Sequence, residues 1–207
     1  MAVPYFILLM ALLTLLLLSS TVGTHPTGLS ILTLLVLVAG TNASNAGRRP
    51  RKRALVLGFF WLVIRWGGPY LGLEDSEMWS KLPFLVFLVD VTGIILIRVA
   101  NRAIRVDFNT ICGAICVYLL NGISWAVLFV LMEGWCPGSF SITGDTGSPS
   151  FQQLIYFSFT TITTLGYGDI SPINPLVRTL SVFEAMAGVF YVAIVMARLV
   201  SVYVDRP

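Results

Sequence analysis

The sequence predicts an all-α membrane protein with six transmembrane helices and a shorter re-entrant segment before the last one. Three observations predict this fold class. The composition is 57% hydrophobic and only 11% charged, whereas about a quarter of the residues of a soluble domain are charged. Six apolar stretches approach the roughly 20 residues that a spanning helix needs. Lys and Arg are concentrated in alternate loops between those stretches.

The six stretches follow one another with short polar loops between them. They cover approximately residues 3–20, 28–43, 54–73, 82–99, 110–132 and 176–202. Residues 151–164 form a shorter apolar stretch, which is predicted to be re-entrant because it is too short to span a bilayer. The first stretch resembles a signal peptide in length, but it lacks a basic start and an Ala-x-Ala cleavage site. A retained helix is therefore favoured.

The orientation of the chain follows from its charged loops, because Lys and Arg in short loops stay on the cytoplasmic side. The loops after the second and fourth stretches are basic, and the loop between the third and fourth stretches is acidic. The residues concerned are Arg48, Arg49, Arg51, Lys52, Arg53, Arg98, Arg102 and Arg105 in the basic loops, and Glu74, Asp75 and Glu77 in the acidic one. We therefore expect a multi-pass protein of the cell membrane with both termini in the cytoplasm. The re-entrant segment then enters from outside.

The end of the re-entrant segment has a composition that suits the dehydration of a cation. A K⁺ ion gives up its water for rings of backbone carbonyls contributed by four chains. All carbonyls of one strand face inward only if the backbone alternates in handedness, which glycine adopts at little cost. Gly166 and Gly168 occupy alternate positions as this requires. Irregular backbone at membrane depth is tolerated where it is buried or lines a water-filled path. A plain glycine turn would leave the threonines and Tyr167 unexplained.

The run Thr163-Thr164-Leu165-Gly166-Tyr167-Gly168-Asp169 resembles the potassium-channel signature Thr-x-Gly-Tyr-Gly, followed by Asp. The resemblance extends through Pro172, Arg178 and Gly188, and Leu165 replaces the usual Val or Ile. It implies that the carbonyls of Thr164, Leu165, Gly166 and Tyr167 bind K⁺, with Gly168 completing the filter. Thr163 and Asp169 would support it. Because one chain supplies one filter strand, a homotetramer in a lipid bilayer is expected, with bound K⁺ and no cofactor.

The resemblance also implies a division into two domains. Residues 107–207 would form the pore domain, which consists of outer helix, pore helix, filter and inner helix. Residues 1–106 would form a four-helix transmembrane bundle in the position of a voltage sensor. The pore helix has two possible starts, a capping box formed by Ser150 and Gln153 or an N-cap at Ser148 followed by Pro149. In either register its C-terminus points toward the membrane centre, where its dipole favours a cation.

Two inner-helix residues are further candidates. Glu184 is a carboxylate inside a membrane helix, which usually faces a polar interior. We expect it to hydrogen-bond behind the filter, to Thr160 or Thr161. Gly188 matches the hinge glycine of the inner helix in the resembling family. Close helix packing is an equal explanation for a small residue there.

The first four stretches resemble the layout of voltage-gated channels but lack their ladder of arginines. Each charge that moves through the membrane field contributes about 2.3 kcal/mol per 100 mV. Here the arginines of the fourth stretch lie only at its cytoplasmic end, so strong voltage dependence is not expected. Arg65 and Asp90 lie inside the predicted third and fourth helices, each roughly eight residues, or about 12 Å, from the outer helix end. An intramembrane ion pair between them is predicted.

Other classes of function fit the sequence less well. A transporter or unselective cation pathway would carry several loops per chain, and a silent subunit would not need an intact filter. The sole histidine, His25, has no metal-ligand partner in the sequence, and no Ser–His or His-Glu-x-x-His pattern occurs. An enzyme is therefore not expected, and no basic surface predicts nucleic-acid binding. The three cysteines follow neither a disulfide nor a zinc pattern.

Overall fold

The computed structural model describes residues 4–22, 26–43, 48–71, 76–100, 107–144 and 147–204. In this part of the chain, seven α-helices and two short strands follow one another. The helices are α1 (Pro4–Val22), α2 (Pro26–Ala43), α3 (Arg48–Leu62), α4 (Ser76–Val99), α5 (Phe108–Trp135), α6 (Phe151–Ile162) and α7 (Pro175–Val204), and the strands are β1 (Phe140–Ile142) and β2 (Ile170–Pro172). The order of elements agrees with the predicted all-α architecture.

Three of the described helices are long and apolar enough to cross a membrane. They are Met78–Val99, Phe108–Trp135 and Pro175–Val195, and the helices Pro4–Leu18 and Thr33–Ala43 are apolar but shorter. The third predicted stretch is not one continuous α-helix. The α-helix α3 ends at Leu62, and the chain then forms a π-helical turn, Val63–Gly67, and a 3-10 turn, Gly68–Leu71. Five basic residues also occupy the first six positions of α3. These breaks and charges shorten its apolar run.

The chain divides into two compact units, Met1–Asn121 and Gly122–Pro207. The division falls within α5, whereas the sequence predicts a domain boundary at 106/107. The first half of α5 belongs with the first unit because the start of α1 packs on it. The ring of Tyr5 lies against Gly113, where a Cβ would be 3.1 Å from it. The Tyr5 N–H donates to Asn109 Oδ1 at 3.3 Å, and the Cys116 thiol donates to the Tyr5 carbonyl at 3.3 Å.

The first unit has an aliphatic and aromatic core between its helices. One face of α1 and one face of α4 are fully buried, at the spacing of three and four residues that places side chains on one helix face. Among these residues are Leu8, Leu12 and Leu15 on α1 and Phe87, Leu88, Val91 and Ile95 on α4. Apolar periodicity therefore decides which side of each helix meets its neighbours.

The structure gives Arg65 and Asp90 partners other than the predicted ones. Arg53 Nη2 lies 3.2 Å from Asp90 Oδ1, and Arg65 donates from Nε to Ser30 Oγ at 3.1 Å. The predicted depth of Asp90 is wrong because α4 begins at Ser76 and not at residue 82. Asp90 is 14 residues from this start, or about 21 Å along the axis. An antiparallel α3–α4 arrangement then brings it toward the start of α3.

The second unit is organised around a cluster of aromatic rings. Phe129, Phe140 and Phe157 contact one another edge to face, with ring centroids 5.2–5.7 Å apart. These rings come from α5, β1 and α6, so the cluster joins three elements. Leu154, Ile170 and Val177 complete it. Edge-to-face pairs add about 0.5–1.5 kcal/mol each beyond their burial, which makes this cluster the support for the segment that follows α6.

Candidate functional site

The short helix α6 begins at a complete capping box. The Ser150 hydroxyl accepts from the Gln153 N–H at 3.3 Å, and the Gln153 side chain accepts from the Ser150 N–H at 2.7 Å. Of the two predicted starts, the structure therefore adopts the one at Ser150. Reciprocal caps satisfy two N–H groups that have no partner within the helix. This fixes where α6 begins and, through its length, where the next segment starts.

The backbone after α6 alternates in handedness, as the glycine spacing predicts. Thr164, Gly166 and Gly168 have φ values of 59°, 53° and 80°, while the residues between them do not have positive φ. Thr164 is the one non-glycine residue with positive φ in the described part of the chain. A β-branched residue rarely adopts this region. This strained position was not predicted from the sequence, although its period of two with the glycines is a signal for it.

The N–H groups of this segment turn back onto the last turn of α6. The Leu165 and Gly166 N–H groups both donate to the Thr160 carbonyl, at 2.8 and 3.0 Å, and the Thr164 N–H donates to the Thr161 carbonyl at 2.9 Å. The Thr163 hydroxyl donates to the Phe159 carbonyl at 2.6 Å. The bonds to Thr160 and Thr161 use carbonyls that a helix C-terminus leaves without partners. They also leave the carbonyls of the segment free of bonds to α6.

The side chains of the segment are exposed in the single chain. Leu165 is 56% exposed and Tyr167 is 66% exposed, which is unusual for large apolar groups at the centre of a folded unit. The Tyr167 ring stacks on Tyr156 of α6, with centroids 6.3 Å apart and planes 4° from parallel. The Tyr156 side chain also interacts with Asp169. Tyr156 was not predicted from the sequence, because a tyrosine in an apolar helix carries no signal of its own.

The far end of the segment is joined to the loop after α5. Strands β1 and β2 pair antiparallel, with Ser141 opposite Ser171. Beyond the strands, the Thr143 N–H donates to the Asp169 carbonyl at 2.8 Å, and the Ile173 N–H donates to the Ser139 carbonyl at 2.7 Å. Both ends of the segment are thus held by backbone hydrogen bonds.

Glu133 holds the loop that precedes β1. Its two carboxylate oxygens accept from the Gly138 and Ser139 N–H groups, each at 2.9 Å. Glu133 is buried, with 7% exposure. Glu133 was not predicted from the sequence, because it lies just past the predicted end of its apolar stretch, in the position of a loop residue.

Glu184 is fully buried and lies against α6, but at a different residue from those predicted. Its Oε1 is 2.5 Å from Ser158 Oγ, which is also 2.7 Å from the Gly122 carbonyl oxygen. The predicted partners were Thr160 or Thr161, and the Thr160 hydroxyl instead donates to the Phe157 carbonyl at 2.9 Å. The difference is one of helix phase, since Ser158 and Thr160 lie about 200° apart around α6.

Gly188 lies where α7 meets the end of α6. A Cβ on Gly188 would be 2.1 Å from the Ile162 carbonyl oxygen and 2.7 Å from Ile162 Cγ1. No side chain fits in that space, so close packing alone accounts for a glycine at this position. A hinge at Gly188 stays a prediction. Thus α7 contacts α6 at two points, Glu184 and Gly188, one helical turn apart.

Part of the chain matches known proteins. Residues 110–205 match the model of a family described as "Ion channel". The matching family is one of channels, not of enzymes. A segment of 103 residues, 49% of this chain, is 40% identical to the inward rectifier potassium channel Kirbac3.1 of Paramagnetospirillum magnetotacticum. It covers 34% of that relative, so the chain spans about a third of the relative's length. No solved structure matches the chain significantly. Together with the apolar helices, these matches indicate a membrane protein.

Proposed function

We propose that this chain is one subunit of a tetrameric, potassium-selective channel, with Thr164–Gly168 as its filter. The observation that carries the proposal is the backbone of alternating handedness at Thr164, Gly166 and Gly168. Such a backbone lets successive carbonyls face one side, as a row of oxygens that replaces the water around an ion. The similarity to a potassium channel supports K⁺ as the permeant ion.

The carbonyls of Thr164, Leu165, Gly166 and Tyr167 would supply the ion sites. Their role is supported by the N–H groups of Leu165 and Gly166, which are directed at the Thr160 carbonyl. Because each peptide unit sends its N–H and C=O in opposite directions, the oxygens at this end face away from α6. The negative end of the α6 dipole lies beside the same residues and favours a cation there.

A tetramer follows from the same chemistry. One strand offers oxygens on one side of an ion, and a closed ring needs four strands. The exposed side chains of Leu165 and Tyr167 are available to neighbouring subunits. Enclosure by those subunits would also satisfy the requirement that irregular backbone at membrane depth be buried or line a water path.

We also propose that α1, α2, α4, α5, α7 and α3 with the turns that continue it all span the membrane, with both termini on the cytoplasmic side. The basic first turn of α3 supports this orientation. Trp66 and Tyr70 in the turns after α3 and Trp79 near the start of α4 lie at the opposite end from these basic residues. All three are at least half exposed. Trp and Tyr are enriched at membrane surfaces. Arg65 is a single charge within the π-helical turn, which supports weak voltage dependence.

The test is ion flux through purified protein in liposomes, with K⁺ or Na⁺ gradients and with added barium. We expect a reversal potential that follows the K⁺ gradient, with block by barium. Equal Na⁺ permeation would show an unselective pathway. If no condition gives flux, the chain is a silent subunit, and the proposal that it forms a conducting channel by itself is wrong.

Two glycines provide a matched pair of variants for the flux test. Gly168 (φ 80°) and Gly144 (φ 83°) both have positive φ, and a Cβ at either position would meet no atom of the described residues within 4 Å. Alanine therefore introduces similar backbone strain at both, of order 1–3 kcal/mol. Gly168→Ala should abolish K⁺ selectivity or flux, whereas Gly144→Ala should leave selectivity unchanged. Equal effects would mean that strain, and not the filter, is responsible.

A further inference from the structure

The Ser158 hydroxyl lies between two oxygen atoms that come from two other helices. Ser158 Oγ on α6 is 2.7 Å from the Gly122 carbonyl oxygen on α5 and 2.5 Å from Glu184 Oε1 on α7. Both distances fall within the range of O–H···O hydrogen bonds. Three helices of the second unit therefore meet at one chain of short contacts.

The number of protons available to this chain of contacts determines whether Glu184 is ionised or neutral. A serine hydroxyl has one proton to donate, and a backbone carbonyl only accepts. If Glu184 were ionised it would only accept as well, so one of the two short contacts would bring two acceptors together without a proton. We propose that Glu184 is a neutral carboxylic acid, which donates from Oε1 to Ser158 Oγ while the Ser158 hydroxyl donates to the Gly122 carbonyl.

The surroundings of Glu184 favour the neutral form. Glu184 is 0% exposed, and its Oε2 has no hydrogen-bond partner among the residues that the structure describes. A buried carboxylate needs a countercharge or several donors, whereas the C=O of a neutral acid tolerates burial much better. The ionisable side chains that the structure describes on α5 after residue 121, on α6 and elsewhere on α7 are Glu133, Tyr156, Arg178, Tyr191 and Arg198. None of them pairs with Glu184.

Glu133 is the natural contrast within the same unit. Both of its oxygens accept backbone N–H groups, which is the pattern of an ionised carboxylate. Glu133 and Glu184 are both glutamates with less than a tenth of their surface exposed. The structure therefore assigns opposite protonation states to two buried glutamates of one unit.

The proton on Glu184 makes it a positioning residue for the filter. Its chain of hydrogen bonds connects α7 through α6 to α5, and α6 supplies the Thr160 carbonyl that holds Leu165 and Gly166. This role rests on the proposed function, but the protonation state does not. Glutamine reproduces a neutral acid, since its amide donates one N–H to Ser158 Oγ and keeps a carbonyl at the other oxygen position.

The direct test is infrared difference spectroscopy of the full-length protein in lipid at neutral pH, with ¹³C-labelled glutamate. We expect the C=O band of a protonated carboxylic acid, absent from Glu184→Gln and present in Glu133→Gln. Ser158→Ala should keep the band but shift it, because the acid loses its acceptor. If the wild-type spectrum has only carboxylate bands, or if the acid band survives Glu184→Gln, the proposal is wrong.

The second readout is thermal stability and K⁺ flux of matched variants. We expect Glu184→Gln to keep the wild-type melting temperature and K⁺/Na⁺ selectivity, and Glu184→Ala to lower both. Glu133→Gln should lower the melting temperature by several degrees, because an amide NH₂ would face a backbone N–H. If the Glu184→Gln protein is as unstable as the Glu184→Ala protein, the proposal that Glu184 is a neutral acid is wrong. If wild-type protein carries no K⁺, the proposed function fails, while the infrared result still decides the protonation of Glu184.

Discussion

Gly188 packs against Ile162 so closely that a Cβ on the glycine would lie 2.1 Å from the isoleucine carbonyl oxygen. The oxygen belongs to the backbone at the end of α6, which cannot rotate away as a side chain does. It also lies two residues before Thr164, where the alternating segment begins. The contact between Gly188 and Ile162 therefore sets the separation of α6 and α7 next to Thr164, the first residue of the proposed filter.

Gly188→Ala should destabilise the second unit. Overpacking a well-packed site costs about 1–3 kcal/mol, and relief here requires a backbone shift. Thermal unfolding of the purified protein measures the effect. Gly93→Ala on α4 is the control, because a Cβ there meets no atom within 4 Å in the described part of the chain and alanine favours helix by about 0.5–1 kcal/mol. Normal stability of Gly188→Ala with altered opening would instead support the hinge.

Gly122→Ala should also destabilise the protein, and a second substitution at Phe159 should recover part of the lost stability. A Cβ at residue 122 would lie 2.9–3.2 Å from three atoms of the Phe159 ring. We expect a loss of about 1–3 kcal/mol, and Phe159→Leu should recover part of it by removing the ring edge. A double variant less stable than Gly122→Ala alone would contradict this contact. Melting temperatures of the two single variants and the double variant provide the measurement.

The energetic coupling of Asp90 should be with Arg53 and not with Arg65. Arg53 is 63% exposed in its side chain and Asp90 is 19% exposed, so the pair resembles a surface salt bridge worth about 0.2–1 kcal/mol. A double-mutant cycle with Asp90→Asn and Arg53→Gln should give a coupling in that range. The matched cycle with Arg65→Gln should give none. Coupling only in the Arg65 cycle would restore the pair predicted from sequence.

Acidification should weaken the start of α5 through Asp107. The Thr110 hydroxyl and N–H both donate to Asp107 Oδ1, at 2.6 and 2.8 Å, and these bonds lower the pKa of Asp107 from its ordinary 3.8. Because the folded-state pKa is the lower one, this stabilisation is fully present above the ordinary pKa. It is lost as pH falls through the folded-state pKa.

Asp107→Asn tests this pH dependence. Asparagine caps a helix about as well as aspartate but does not titrate, so the variant should lose less stability than wild type when pH falls below about 4. Asp107→Ala should cost about 1 kcal/mol near neutral pH, reduced by the exposure of the site. Melting temperatures from pH 3 to 7 provide the comparison. Identical profiles for wild type and Asp107→Asn would exclude Asp107 as the titrating group.

Local features of the chain were predictable because neighbouring residues carry them. The capping box of Ser150 and Gln153 requires two residues three apart, and the alternation of handedness requires glycines two apart. The lengths of the apolar stretches likewise predicted the order of the helices. The positive φ of Thr164 was missed, since threonine avoids that region and only its place in the alternation suggests it.

Contacts between helices could not be read in the same way. The amino-acid sequence by itself determined the order of the helices, the two candidate starts of α6 and the row of residues that forms the proposed filter, because each depends on residues that lie close together in the chain. Only the tertiary structure decided that Glu184 meets Ser158, that Asp90 meets Arg53, and that Gly188 meets the Ile162 carbonyl. The physical reason is that a partner across two helices depends on their start, rotation and separation. In α4, a helix start six residues earlier than predicted gives Asp90 a different partner. On α6, a difference of about 200° around the helix axis gives Glu184 a different partner. Neither difference changes the pattern of apolar residues in the sequence.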